Sequence, residues 1–251
     1  MTNNEKAIPR AARTIGLADE ESVKRLLRKT VFDLWDVVND LTRLRPSRPE
    51  RYRVTIFGSA RTKPGHFVYA EVKRFARALA EMGWDVVTGG GPGLMQAANE
   101  GAKEAETRVG QQSLGIRVEL PFEQFANPFV DENFEHQTFF TRLHHFVLAS
   151  DAFVVVPGGI GTALELFMVW QLIQVKHVTE HPLILVGTMW SGLIDWINES
   201  MITRGLASPQ DMNAVSVVAS YEEAIPIIRA SYERYIQEKT NADQGTDSRR
   251  A

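Results

Sequence analysis

Three short stretches of this chain combine backbone that a ligand can approach closely with side chains that donate hydrogen bonds. They are Gly58-Ser59, Gly89-Gly90-Gly91-Pro92-Gly93 and Pro157-Gly158-Gly159-Ile160-Gly161-Thr162. Glycine lets a bulky anion come near the main chain, and a helix starting just afterwards offers free N–H groups and the positive end of its dipole. Ser59 and Thr162 add hydroxyl donors. A single such loop reads most simply as a tight turn, but three of them read as a phosphate cradle. Two charged residues frame the last loop. Glu165 follows it on the first turn of the helix that Gly161 opens, and Arg142 opens the helix before it, in Phe139-Phe-Thr-Arg-Leu-His-His145. A carboxylate there can act as a base or face positive charge on a ribose. An arginine can hold phosphate or meet developing negative charge. Local pattern alone leaves both open, since glutamate suits any first helical turn and helical arginines are usually solvated.

Positioning these groups requires strands that end at the loops and helices that begin there. Apolar, β-branched runs predict strands at Arg53–Phe57, Trp84–Thr88, Ser113–Val118, Ala152–Val156, Pro182–Val186 and Val215–Val218. Helical periodicity predicts helices at Tyr69–Met82, Leu94–Glu106, Thr141–Ser150, Gly161–Val175, Gly192–Arg204 and Tyr221–Gln237. Apolar strands alternating with helices specify an α/β fold, a Rossmann-like parallel sheet with helices on both faces. All three glycine loops then fall at the carboxyl edge of one sheet, where such folds bind ligands. An N-terminal helical arm precedes this domain. Val23, Leu26, Leu27, Val31, Leu34, Trp35, Val38 and Leu41 form an amphipathic stripe, and Arg43–Glu50 breaks it. The expected organisation is an arm over 1–50, a nucleotide-binding domain over 51–237 and a polar, disordered tail over 238–251.

Composition narrows the chemistry. The 251 residues carry a net charge of −3, which gives no global basic field for nucleic acid. There are no cysteines, so thiolate catalysis and cysteine-bound zinc are excluded, and a cytoplasmic location fits. No apolar run approaches the ~20 residues that span a bilayer, so no membrane role is expected. The chain contains no GxxxxGK[ST], and no GxGxxG opens the first strand–helix unit, so a monophosphate is favoured over a triphosphate or dinucleotide. His136, His144 and His145 lack a third metal ligand at useful spacing and read as structural. Trp170, Trp190 and Trp196 read as core or interface residues.

Taken together, Gly58-Ser59, Gly89-Gly-Gly-Pro-Gly-Leu-Met95, Arg142 and Pro157-Gly-Gly-Ile-Gly-Thr-Ala-Leu-Glu165 resemble the LOG ("Lonely Guy") family, long described as possible lysine decarboxylases. The resemblance runs from about Arg53 to Leu185, and the long arm is similar to that of the larger bacterial members. It implies hydrolysis of nucleoside 5′-monophosphates, of the AMP or cytokinin riboside type, to free base and ribose 5-phosphate, with no metal or redox cofactor. The family's catalytic arginine and glutamate fall on Arg142 and Glu165. Its nucleotide-lining positions fall on Ser59, Gly90, Gly91, Met95, Gly158, Gly159, Gly161 and Thr162. The resemblance further implies a homodimer or higher homo-oligomer. Two positions depart from the family pattern. Leu143 stands where the family usually has lysine, and Leu164 where it has the first signature glutamate. These departures keep a second expectation in view, a non-catalytic nucleotide- or molybdenum-cofactor-binding protein of the same superfamily. Pyridoxal-dependent decarboxylation is not expected, because no lysine lies in any of the glycine loops.

Overall fold

A computed structural model describes residues 19–41, 51–105, 110–119, 126–179 and 181–247, with side chains left out at 34–41 and 241–247. The chain divides into two compact units, Met1–Arg48 and Pro49–Ala251. In the first, α1 (Glu20–Leu41) realises the expected amphipathic helix, with Glu20 and Glu21 in its first turn. Leu26, Leu27, Val31 and Phe32 are exposed on it. The arm's closing segment, Arg43–Glu50, lies outside the described residues.

The second unit is a seven-stranded sheet, every pairing parallel, in the order β4-β3-β2-β1-β5-β6-β7. The strands are β1 (Arg53–Phe57), β2 (Asp85–Thr88), β3 (Ser113–Val118), β4 (Glu132–His136), β5 (Ala152–Val155), β6 (Leu183–Val186) and β7 (Val215–Val218). The connecting helices are α2 (Phe67–Glu81), α3 (Leu94–Lys103), α4 (Phe139–Ala149), α5 (Ile160–Gln174), α6 (Met189–Ile197) and α7 (Tyr221–Asp247). The chain winds outward from β1 to β4, returns to β5 beside β1, then winds the other way. A crevice therefore opens between β1 and β5 at their carboxyl ends, the place where doubly wound sheets bind ligands.

Alternation along each strand makes two cores. Val54, Ile56, Val86 and Val154 face α2, α3 and α7, where Phe75, Leu79 and Ile228 pack. Phe57, Val87, Phe153 and Val155 face the other way, against Phe146 of α4, Leu166 and Trp170 of α5 and Trp190 of α6. Trp170 and Trp190 are thus core residues as expected, and Trp196 is half exposed. Among the described residues no helix is long and apolar enough to cross a membrane.

Several boundaries differ from those read in the sequence. β4 was not expected at all. Its sequence, Glu-Asn-Phe-Glu-His, is mostly exposed, because it is an edge strand held by its ladder to β3 rather than by burial on both faces. The helix expected from Thr141 begins at Phe139, since Thr138 caps it by accepting the Thr141 N–H. That expected over Gly192–Arg204 starts at Met189 and widens into a π-turn over Asn198–Ile202. α3 ends at Lys103, and the expected end at Glu106 lies outside the described residues. Past the expected end at Gln237, α7 continues to Asp247. Glu238 and Lys239 are good helix formers, and backbone bonds carry a helix onward without apolar anchors. The last four residues of the tail lie outside the described residues.

α2 and α3 cross closely at Gly101, where a Cβ would collide with the Lys73 carbonyl oxygen and come within 3.1 Å of the Arg77 nitrogen. Backbone cannot rotate aside as a side chain can, so the helices would have to separate. Gly101→Ala should therefore destabilise the domain by about 2 kcal/mol despite a helix-propensity gain of about 1 kcal/mol. Urea denaturation checks this. A midpoint equal to or above wild type would contradict the close crossing.

Candidate active site

At the carboxyl edge of the sheet lies a cavity of about 480 Å³, within the usual size range of small-molecule sites. Its floor begins with the loop after β1. Ser59 Oγ accepts the Arg61 N–H, and the Ser59 carbonyl accepts the Leu94 N–H at 2.8 Å, tying this loop to the start of α3. Gly93 makes that junction possible. Its φ is +72°, and a Cβ would strike the Ser59 carbonyl oxygen. From β5 the chain enters α5 through Gly159, with no side chain capping the helix. The first intrahelical bond is Ala163 N–H to the Gly159 carbonyl. The N–H groups of Ile160, Gly161 and Thr162 precede it, at the end of the helix where donors have no intrahelical acceptor. Gly159 and Gly161 have nothing within 4 Å of where a Cβ would stand, so this helix end is open to the cavity.

Arg142 and Glu165 meet in the cavity wall. Arg142 Nη1 lies 2.9 Å from Glu165 Oε1, with both side chains about one-tenth exposed. Arg142 also donates from Nε to the Ile116 carbonyl at 2.9 Å, and its guanidinium carbon sits 5.0 Å from the centre of the Phe146 ring. Glu165 is in the second turn of α5, not the first, so the helix dipole does not account for it. Nor is Arg142 a solvated surface arginine. Burial pushes the Glu165 carboxyl up to about 7, against the lowering effect of the Arg142 charge and hydrogen bond.

Of the residues singled out in the sequence, Gly58, Ser59, Met95 and Arg142 line the cavity, together with Gly159, Gly161, Thr162 and Glu165. Gly90, Gly91 and Gly158 stand behind that lining. Gly90 has φ +67°. Its N–H donates to Thr88 Oγ1 and its carbonyl accepts the Asn127 N–H. The Gly91 carbonyl accepts from the Asn127 amide, which also reaches Asn99 Oδ1. At Gly158 a Cβ would collide with the Thr162 hydroxyl, so this glycine makes room for that side chain.

Gly89, named only as part of its loop, and Arg117, which was not singled out, both line the cavity. A Cβ at Gly89 would lie 2.5 Å from Arg142 Nη2 and 2.7 Å from Met95 Sδ, so its absence seats the arginine. Arg117 lines the cavity from β3 and is only 5% exposed. An arginine inside the otherwise apolar run Ser-Leu-Gly-Ile-Arg-Val is the signal that could have found it. Among the described residues, neither Leu143 nor Leu164 lines the cavity, and no lysine does. His136 and His145 pack together. His136 Nε2 and His145 Nδ1 are 2.9 Å apart, and His145 meets Phe134 edge to face. Burial lowers the His145 imidazole to about 4.

Comparison with known proteins identifies the family. The sequence model of a family described as "possible lysine decarboxylase" matches residues 95–228. Two curated relatives carry the name cytokinin riboside 5′-monophosphate phosphoribohydrolase. That of Mycobacterium tuberculosis is 31% identical over 153 residues, 59% of this chain and 78% of the relative. That of Mycobacterium marinum is 28% identical over 183 residues, 70% of this chain and 93% of the relative. Among solved structures, the molybdenum cofactor binding protein of Rippkaea orientalis superposes with a TM-score of 0.54 at 22% identity, covering 72% of this chain and 97% of its own. The molybdenum cofactor carrier protein of Chlamydomonas reinhardtii gives 0.54 at 22% identity, covering 73% and 99%. These two likenesses establish a shared fold. With a family match over more than half its length and a relative above 30% identity, this chain belongs to the LOG family.

Proposed function

We propose that this protein hydrolyses the N-glycosidic bond of nucleoside 5′-monophosphates, giving the free base and ribose 5-phosphate. The observation that carries the reading is the Arg142–Glu165 pair, 2.9 Å apart and buried beside the uncapped N-terminus of α5. The names of the two mycobacterial relatives support it. The phosphate docks on the N–H groups of Ile160, Gly161 and Thr162, helped by the hydroxyls of Thr162 and Ser59. The ribose then lies over the pair. As the C1′–N bond breaks, positive charge grows on the ribose, and the Glu165 carboxylate faces it. Water attacks C1′, its proton passes to Glu165, and the electrons of the broken bond leave with the base. Arg142 holds Glu165 in place and offers its charge to the departing base. A carboxyl with its pKa near neutrality suits such proton transfer.

The competing reading is a non-catalytic carrier of a nucleotide or pterin cofactor, which would have no use for a buried proton acceptor at the ribose. Leu143 and Leu164 favour that reading only if their family counterparts act inside the cavity, and here both positions lie outside its lining. Pure protein incubated with a panel of nucleoside monophosphates, with products separated by chromatography, decides between them. Base and ribose 5-phosphate should accumulate, whereas saturable binding of intact nucleotide with no product would establish a carrier.

Two substitutions should separate chemistry from binding. Glu165→Gln removes the charge that works only in the transition state, and should lower kcat by about 10²-fold or more with little change in nucleotide Kd. Gly159→Ala places a methyl group where no protein atom lies within 4 Å. It should leave folding intact and weaken nucleotide binding. The wild-type rate should also rise with pH through about 7, as Glu165 ionises. Its folded pKa lies above the ordinary 4.5, so its contribution to stability is full below 4.5 and is lost as pH rises through about 7. A flat profile across that range, or a Glu165→Gln variant with full turnover, would remove Glu165 from the chemistry.

Assembly belongs to the same proposal. Phe139 and Phe140 at the start of α4, and Ile160, Leu164 and Phe167 on α5, are large apolar side chains left exposed beside the cavity. A second copy of the chain covering them would close the site from solvent. Light scattering at micromolar concentration should therefore give a dimer or a multiple of one, and a monomer at every concentration would refute it.

A further inference from the structure

The cavity is positive in a chain that is not. The whole sequence carries a net charge of −3, yet the described residues lining the cavity include Arg61, Arg117 and Arg142 against the one carboxylate of Glu165. Glu165 is paired with Arg142, and Arg117 reaches the Glu135 carboxylate on β4 at 3.9 Å. Arg61 is an exposed residue on the loop after β1. Like Arg117, it has no part in the reaction as set out above.

The backbone that carries Arg61 is pinned. Its N–H donates to Ser59 Oγ at 3.1 Å. The Ser59 carbonyl accepts the Leu94 N–H, and the Ser59 N–H donates to the Pro157 carbonyl at 3.1 Å. A Cβ at Gly93 would lie 2.6 Å from the Ala60 carbonyl carbon, so the turn rests directly on the start of α3. The bond to Pro157 joins this turn to the loop that leads from β5 into the uncapped N-terminus of α5. β1 pairs with β5, whereas β3, which carries Arg117, is separated from β5 by β2 and β1. Of the two cavity arginines not engaged with Glu165, Arg61 therefore stands on the loop next to that helix end.

We propose that Arg61 is the phosphate clamp of this site, closing over a 5′-phosphate seated on the Ile160, Gly161 and Thr162 N–H groups. The assignment rests on the nucleotide reading above and adds a binding residue to it. Backbone donors at a helix end carry only partial positive charge, whereas a phosphomonoester carries nearly two negative charges at neutral pH. A guanidinium supplies a full charge, and its planar fork matches two phosphate oxygens. A pinned backbone with a long, exposed side chain suits a clamp. The side chain swings across the phosphate once it has entered and swings away to release the sugar phosphate. Solvent screens an exposed ion pair, but a phosphate held in the cavity displaces that solvent from one side of the guanidinium.

The test is calorimetric binding of ribose 5-phosphate, which carries the phosphate and needs no turnover, together with kcat/KM for base release from adenosine monophosphate. Arg61 is exposed, so Arg61→Ala should fold normally, as circular dichroism checks. It should weaken ribose 5-phosphate binding by about tenfold to a hundredfold, the range for a charged hydrogen-bonded contact. The loss in kcat/KM should match and fall mainly on KM. Arg61→Lys keeps the charge without the fork and should lie between. Added salt should weaken ribose 5-phosphate binding more steeply in wild type than in Arg61→Ala. An Arg61→Ala variant with wild-type affinity for ribose 5-phosphate, or with an unchanged salt dependence, would overturn the assignment. The hydrolysis reading fails separately. Nucleotide that binds without base release, and binds more weakly to Arg61→Ala, upholds the clamp and refutes hydrolysis. Base release with an unchanged KM in Arg61→Ala refutes the clamp and upholds hydrolysis. A wild type that binds neither nucleotide nor ribose 5-phosphate refutes both.

Discussion

A buried ion pair between α4 and α5 organises this molecule's candidate chemistry. Arg142 and Glu165 approach to 2.9 Å with both side chains almost wholly out of water. Such a pair is a poor source of stability, because removing two charges from water offsets most of their attraction. Its persistence therefore has to be explained by what it does. The arginine is held from several sides. The Ile116 carbonyl, the Phe146 ring and the missing Cβ of Gly89 fix the guanidinium. The carboxyl is fixed by the guanidinium. Burial then raises the carboxyl pKa toward neutrality while the arginine keeps it from becoming a permanently neutral acid. The result is a carboxyl with a pKa near neutrality poised beside the uncapped end of a helix.

The glycines divide into two kinds of work. Gly58, Gly89, Gly93 and Gly158 are packed against protein. A Cβ there would meet Val156, Arg142, the Ser59 carbonyl or Thr162 respectively. They bring the walls together so that the functional side chains can converge. Gly159 and Gly161 face open space in the cavity, where a side chain would meet no protein atom within 4 Å. Behind these loops, Thr88, Asn99, Ser113 and Asn127 form a buried hydrogen-bonded network that holds the turn after β2. Its polar groups are paired, as a rigid support requires.

The fold was legible wherever burial on both faces left a continuous apolar signature. The Ala152–Val155 run and the helices beside it were read nearly to the residue, because each must be apolar to be covered. β4 was illegible for the converse reason. It is an edge strand whose side chains are mostly exposed, so nothing in Glu-Asn-Phe-Glu-His distinguishes it from a loop. Loop chemistry pointed to the sheet edge where the cavity lies, while local pattern left Arg142 and Glu165 open and only the family resemblance assigned them. The difference between Gly90, which supports the turn from behind, and Gly89, which seats the arginine, was not readable. It depends on which way each residue faces once β2 and β3 are paired. Arg117 carried a readable signal, a charge in a buried strand.

The central claim is that Arg142 and Glu165 act as one chemical unit, and a double-mutant cycle on kcat/KM for base release tests it most directly. Arg142→Met and Glu165→Gln should each lower the rate by about 10²-fold or more. The double variant should lose scarcely more than either single one, because groups that work as a unit are strongly non-additive. Losses that simply multiply, or a double variant that still turns over at the wild-type rate, would show that the pair is only part of the scaffold.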